Sequence, residues 1–444
     1  MVAVRGAAQL LLCLLAACGT DRITTVDPTV TADAEVWSGG VLALHSPSFT
    51  GADTAPIVTV GAETLAVHVV GSDSVRVQVP DTDGTISVGV GLRAGGRALL
   101  QVRVHGLART WQGPEMDNTS IYPWPGSARP TALAFGGGHL VLVDYASRTV
   151  SSPLTPDTGL TADCNTSPVP SATVPGLVTA HPSGTGGNCG PVLAVPATAT
   201  AGPPDTGPVA SIYPALHLSR GRWLVSSKNG PFQIATRSDS GFTWGPPVIG
   251  SAPVSYAMSP TGHRIVPTWT YANQGGVPVF DATVPGVAYT LTALPRTWTA
   301  AFSPGGDTLF VAGDDSAGGE VLLEVNAASG GVLARAPLSG AYYGAGLAVA
   351  VDPMRPWVYV AWMAGSQPYV ADTPAVDVYD RRSLVRVATL RASTSLFKAV
   401  PGDPFNPTWA WAFVPSPLER RLYLTFNNGQ GAGLTYVFEY DLMP

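Results

Sequence analysis

At 444 residues the chain exceeds one small domain and is long enough for a large closed architecture. Gly (50) and Pro (41) are abundant, yet 45% of residues are hydrophobic, which excludes a disordered chain and suits many turns joining short apolar strands. With 12% charged residues, a net charge of −6, only Lys228 and Lys398 as lysines and no basic run beyond a pair, no nucleic-acid partner is expected.

Residues 1–18 read as an export signal. Arg5 supplies a short positive region, and Gly6 to Leu15 form an apolar run too short to span a bilayer. The run ends in Leu15-Ala16-Ala17-Cys18, which resembles the bacterial lipobox; an ordinary signal peptide cleaved near Ala17 is the alternative. The resemblance implies that Cys18 is acylated and anchors the chain in a lipid bilayer. Gly19 in place of Asp after that Cys favours the outer membrane, with the protein facing either the periplasm or the surface. Residues 19–34, polar and rich in Thr and Asp, read as a tether.

Residues 35–106 carry short alternating strands such as Val41-Leu42-Ala43-Leu44, Ile57-Val58-Thr59-Val60 and Val75-Arg76-Val77-Gln78-Val79, cut by Gly, Asp and Ser turns. That regularity predicts a β-sandwich. The order of Gly39-Gly40, Ser48-Phe49, Val58-Thr59-Val60-Gly61, Ser72-Asp73-Ser74-Val75 and Gly84-Thr85-Ile86-Ser87-Val88 is similar to the immunoglobulin-like IPT/TIG family. Asp81-Thr82-Asp83-Gly84 lacks the further oxygen ligands of a calcium loop and reads as a hairpin turn.

Residues 107–444 are organised by repetition. The pattern is an apolar strand, a tight turn and a second apolar strand, as in Trp298 to Phe302, Ser303-Pro304-Gly305-Gly306 and Leu309 to Ala312. Related units start near Ala132, Leu177, Ala215, Ser255, Leu347 and Trp409, about 40–50 residues apart, which is the size of a four-stranded propeller blade. In two units a third strand and a reversal follow, at Val321 to Ala334 and at Val376 to Val387; these resemble the YVTN and WD-repeat-like propeller families. The expected fold is therefore all-β, an N-terminal Ig-like β-sandwich followed by a seven-bladed β-propeller. The last unit stops at a third strand, Tyr436 to Leu442, whose edge must be covered. Leu107 to Trp111 is expected to supply the missing outer strand and close the ring.

Few residues point to chemistry. Asp239, Gly241, Thr243 and Trp244 match the Asp-box (BNR) pattern found in sialidases and other sugar-active propellers. It reads as a structural hairpin between third and fourth strands, with Asp239 accepting turn amides and Trp244 packing on the neighbouring strand. Cys164 and Cys189, exported and far apart in sequence, are expected to form a structural disulfide. The histidines show no H-x-x-H or H-E-x-x-H spacing, so no metal or cofactor is specified. Asp314-Asp315 reads as a solvated acidic loop, with a cation at the ring's mouth as the alternative. Trp362, Trp409, Trp411, Tyr342 and Tyr343 sit at or near strand ends of the last units and are candidate contacts on a binding face. The function these features support is a non-enzymatic envelope module binding a protein or glycan; a sugar- or lactone-active propeller hydrolase is the alternative.

Overall fold

The computed structural model describes residues 30–49, 56–92, 96–113, 122–124, 129–136, 139–152, 169–180, 191–198, 203–209, 215–226, 231–249, 255–268, 276–284, 286–338, 348–364, 373–391, 409–416, 418–427 and 435–444. The chain divides after His105 into two compact units.

In the first unit, Thr31–Ala32, Val41–His45, Ser74–Gln78 and Val67–Val69 lie side by side in a four-stranded sheet. Glu35–Trp37, Arg97–His105, Gly84–Gly91, Ile57–Val60 and Glu63–Leu65 form a five-stranded one. Pairing is antiparallel except between Glu35–Trp37 and Arg97–His105. The period-two pattern is obeyed: Leu42 and Leu44 are buried while Val41 and His45 are exposed. Leu42, Leu44, Val75 and Val77 of one sheet and Val58, Val88, Val90 and Val102 of the other share one apolar core.

Beyond Gly106 the described strands form seven four-stranded antiparallel sheets, the blades of a β-propeller. Six blades are runs of four successive strands; the fifth comprises Arg296–Phe302, Thr308–Asp314, Glu320–Asn326 and Val332–Pro337. The seventh takes Trp409–Pro415, Arg421–Asn427 and Thr435–Asp441 from the C-terminus and its outer strand, Leu107–Gln112, from the start of the unit. Leu107 pairs with Tyr440 and Trp111 with Val437, so the expected closing strand is in place.

First strands of neighbouring blades lie against one another, as Arg296–Phe302 does with Ala348–Val351 and Ala348–Val351 with Trp409–Pro415, which makes them the inner strands. In blades one and two the apolar hairpins read from the sequence prove to be second and third strands, Thr131–Gly136 with His139–Asp144 and Leu177–Ala180 with Pro191–Pro196. Their inner strands are Tyr122–Pro123 and Val169–Pro170, two residues each and ended by proline. Such a segment carries no periodicity to detect.

Second strands are apolar on both sides because each blade is covered on both faces. Along Thr308–Asp314, Leu309 and Val311 join Val266, Val277 and Val279 of blade four. Phe310 and Ala312 join Val349, Val351, Val358 and Val360 of blade six. One strand thus contributes to two interblade cores. Leu133 and Leu140 meet Val178 and Val195 between blades one and two. Leu177 and Val192 meet Trp223 and Val225 between two and three, and Leu224 and Phe232 meet Ile265 and Phe280 between three and four. The Arg355 guanidinium donates to the Glu419 carbonyl between six and seven (3.0 Å), and Ala134 and Val143 meet Val414 and Val437 between one and seven. The ring is continuous.

The Ser-Pro-x-Gly turn has a clear mechanism. In blade five the Ser303 amide donates to the Thr308 carbonyl (2.8 Å), and the Thr308 amide donates back to Ser303 Oγ (3.1 Å). Gly306 completes the turn at φ 74°, where a side chain would be strained. Ser259, Gly262 and Arg264 repeat the arrangement in blade four, and Asp352 and Ser416 anchor the corresponding turns of blades six and seven.

Candidate functional site

The Asp-box residues form the hairpin between the third and fourth strands of blade three, Phe232–Ser238 and Gly241–Ile249, with Ser238 opposite Gly241. The anchoring contact expected at Asp239 is not made. Among the described residues no hydrogen bond reaches the Asp239 carboxylate; Ser238 Oγ donates to the Gly241 carbonyl instead (3.2 Å). Trp244 is 39% exposed, whereas Phe242 packs against the core of blades two and three, with Arg237 5.5 Å over its ring. Trp244→Ala is accordingly expected to cost no more than about 1 kcal/mol in a denaturant titration. A larger loss would restore the structural role of the box.

Trp362 is not a face residue. It is 8% exposed and belongs to the core between blades five and six, with Arg391 5.9 Å over its ring. Its strand, Trp357–Ala364, is the second of blade six and is covered on both sides. Trp409 and Trp411 lie on the inner strand of blade seven, with side chains outside the described residues; Tyr342, Tyr343, Cys18, Cys164 and Cys189 also lie outside them. Asp314 and Asp315 serve their own chain rather than forming a solvated acidic loop. Asp314 accepts from the Trp298 indole (2.7 Å) and pairs with Arg296 (3.3 Å). Asp315 accepts the Gly319 and Ala317 amides and pairs with Arg335. The Gly319 amide is the largest influence holding the Asp315 carboxyl below the usual range.

Two polar constellations organise the ring, and neither stands out in the sequence. The first joins blades two and three. His217, on the inner strand Leu216–Ser219 of blade three, is wholly buried. Ser171 Oγ lies 2.6 Å from its Nδ1, and Asp205 Oδ2 lies 3.1 Å from its Nε2. Ser171 follows the inner strand of blade two and Asp205 opens its outer strand. Asp205 also accepts the Gly221 amide (2.7 Å) and pairs with Arg237 (2.8 Å). The Ala172 amide donates to the His217 carbonyl (2.9 Å), and the His217 amide donates to Thr179 Oγ1 (3.2 Å). Burial pushes the His217 imidazole below its ordinary value despite Asp205. Burial would raise the Asp205 carboxyl, but the Gly221 amide, His217 and Arg237 outweigh it and hold it low. A serine–histidine–carboxylate chain invites comparison with a nucleophilic triad. Here the imidazole has no solvent face, and the Ser171 hydroxyl also receives the Val174 amide of its own turn (3.2 Å), so the chain acts as a clamp between blades.

The second constellation is the closing seam. Tyr145, in the turn after the third strand of blade one, stacks on Tyr423 (5.4 Å between centroids) and meets Trp111 edge-on. Its hydroxyl lies 2.9 Å from Thr425 Oγ1. Glu439 on Thr435–Asp441 faces Arg109 of the closing strand (3.4 Å), Arg421 of its own blade (3.4 Å) and Arg148 of blade one (3.8 Å). Three arginines thus converge on a carboxylate, but it is the protein's own, and it sits beside the outermost strand.

No family model and no curated protein matches this chain. Among solved structures it is similar to the β-propeller domain of Myceliophteria thermophila Cps50 (Swd1), at 10% identity and TM-score 0.47, over 76% of this chain and all of that one. It is also similar to a chain of the Mitotic Checkpoint Complex, at 13% identity and TM-score 0.45, over 76% of this chain and 95% of that one.

Proposed function

We propose that this chain is a lipid-anchored envelope protein whose WD-repeat-like propeller is a non-enzymatic module binding a protein or glycan. In this reading Cys18 carries the acyl anchor, the two-sheet N-terminal unit is an IPT/TIG-like spacer, and Cys164–Cys189 staples a propeller loop.

The observation that carries the binding role is an asymmetry of connection length. In a meander blade, first-to-second and third-to-fourth strand turns emerge at one end; second-to-third and blade-to-blade connections emerge at the other. At the first end the links are short, such as those from Phe302 to Thr308 and from Ser238 to Gly241. At the opposite end the chain spends 151–168, 181–190, 338–347 and 392–408 between strands. A scaffold that concentrates its long connections at one end builds a recognition surface there.

Residues 30–444 should capture a discrete partner from a native envelope extract. Replacing 393–407 with a short Gly/Ser link should abolish capture while leaving the thermal midpoint unchanged. In parallel, Cys18→Ala should move the full chain from the membrane to the soluble fraction. Capture that survives replacement of each long connection in turn would remove the binding role from this end of the ring.

A further inference from the structure

We propose that the Ser171–His217–Asp205 chain is an acid-sensitive clamp: proton uptake at His217 loosens blade two from blade three. This inference stands independently of the proposed binding role. It rests on the position of the imidazole, which is the meeting point of three segments. The Ser171 turn and the first residue of the outer strand come from blade two, and the imidazole rises from the inner strand of blade three. Further bonds run through the same junction. The Thr173 hydroxyl donates to the Leu218 carbonyl (2.7 Å), and Asp205 reaches across to the Gly221 amide and Arg237.

With the imidazole neutral, both of its nitrogens are served. Nε2–H donates to Asp205, and Nδ1 accepts the Ser171 hydroxyl at 2.6 Å. A second proton reverses the Ser171 contact. Nδ1–H must then donate to Ser171 Oγ, and the hydroxyl must turn to the His217 carbonyl, 3.3 Å away. Ser171 Oγ already receives the Val174 amide. The charged groups facing the imidazole are Asp205 from blade two and Arg220 and Arg237 from blade three, so one anion is set against two cations. Arg222, on the adjoining strand, is turned to the Ala282 carbonyl of blade four (2.8 Å). Edge contact with Trp223 (4.7 Å) closes the remaining side. A buried cation here has little solvation to replace what it loses in water.

The sign follows from linkage. An opened junction exposes an imidazole that titrates near its ordinary value, about 6.5; the closed junction holds it lower. The clamp is therefore fully effective above about pH 6.5. It weakens as pH falls from there toward the lowered value, where the loss levels off. Over that window the opening equilibrium should rise by up to about tenfold per pH unit, the slope of one proton.

Hydrogen–deuterium exchange of residues 30–444 between pH 7.5 and 5, corrected for intrinsic exchange, tests this. Peptides covering 169–180 and 215–226 should lose protection as pH falls. Peptides covering 308–326 and 349–361, in blades five and six, should not. His217→Gln, which cannot titrate, should flatten the response. Should that variant fail to fold, the ¹⁵N-imidazole titration of His217 in the unaltered chain gives a separate readout and must fall below 6.5. Equal pH dependence in both peptide sets, a pH response that persists in His217→Gln, or an imidazole titrating at or above 6.5 would overturn the proposal.

Discussion

A propeller chain that starts at residue 113 is expected to lose cooperative folding, whereas one that starts at 106 keeps it. The missing strand pairs at five positions from Leu107–Tyr440 to Gln112–Tyr436. It also places Trp111 against the blade-one seam and brings Arg109 to Glu439. Ladder hydrogen bonds contribute about 0.5–1.5 kcal/mol net each, and lost burial of Trp111 adds to them. The total approaches the entire margin of a typical domain, about 5–15 kcal/mol. Without that strand, Thr435–Asp441 becomes an open edge, which templates association. Size-exclusion chromatography and denaturant unfolding of the two chains measure this directly. If 113–444 stays monomeric with an unchanged midpoint, closure does not depend on the borrowed strand.

The second large effect is at Tyr145. Replacing it with alanine should cost about 3–5 kcal/mol, the range for a buried aromatic truncated to a cavity. Its ring is buried where blade one meets blade seven, stacked on Tyr423 and touching Trp111. Tyr145→Phe isolates the hydroxyl: the Thr425 partner at 2.9 Å is left unpaired in a buried site, for about 1–3 kcal/mol. A denaturant series should therefore rank Ala well below Phe and Phe below the unaltered chain. Equal losses for the two variants would mean that the hydroxyl, rather than the stacked ring, holds the seam.

The architecture was legible because it follows from local rules repeated many times. Ser-Pro-x-Gly with flanking apolar strands marked the turns of blades four and five, and an unfinished last unit required a partner strand, which the leftover segment near Leu107 supplied. What failed was whatever depends on neighbours in space. Tyr122–Pro123 and Val169–Pro170 are too short to carry a period, so the first two blades were read one strand out of step. Trp362 lies near a strand end, but blades are covered on both faces, so that position says nothing about exposure. The Asp-box pattern specified a hairpin correctly, but the turn contact it implied at Asp239 is not made. His217 carried a faint signal, a histidine inside the apolar run Ala215-Leu216-His217-Leu218. Its partners at 171 and 205 are close only once the two blades are stacked.

The two units follow one another directly: His105 ends the last strand of the first, and only Gly106 precedes Leu107, where the closing strand of the ring begins. Gly106 is itself engaged, its carbonyl accepting the Asp441 amide (2.7 Å). Tension applied through the N-terminal unit enters the ring at the seam strand, at the end where Leu107 faces Tyr440. If a ligand grips the opposite end of the blade, the antiparallel pair is pulled lengthwise. All its rungs then share the load in shear instead of parting one by one. If Cys18 anchors the chain as proposed, drag on a bound ligand would thus pull along the seam in the direction in which the seam is strongest.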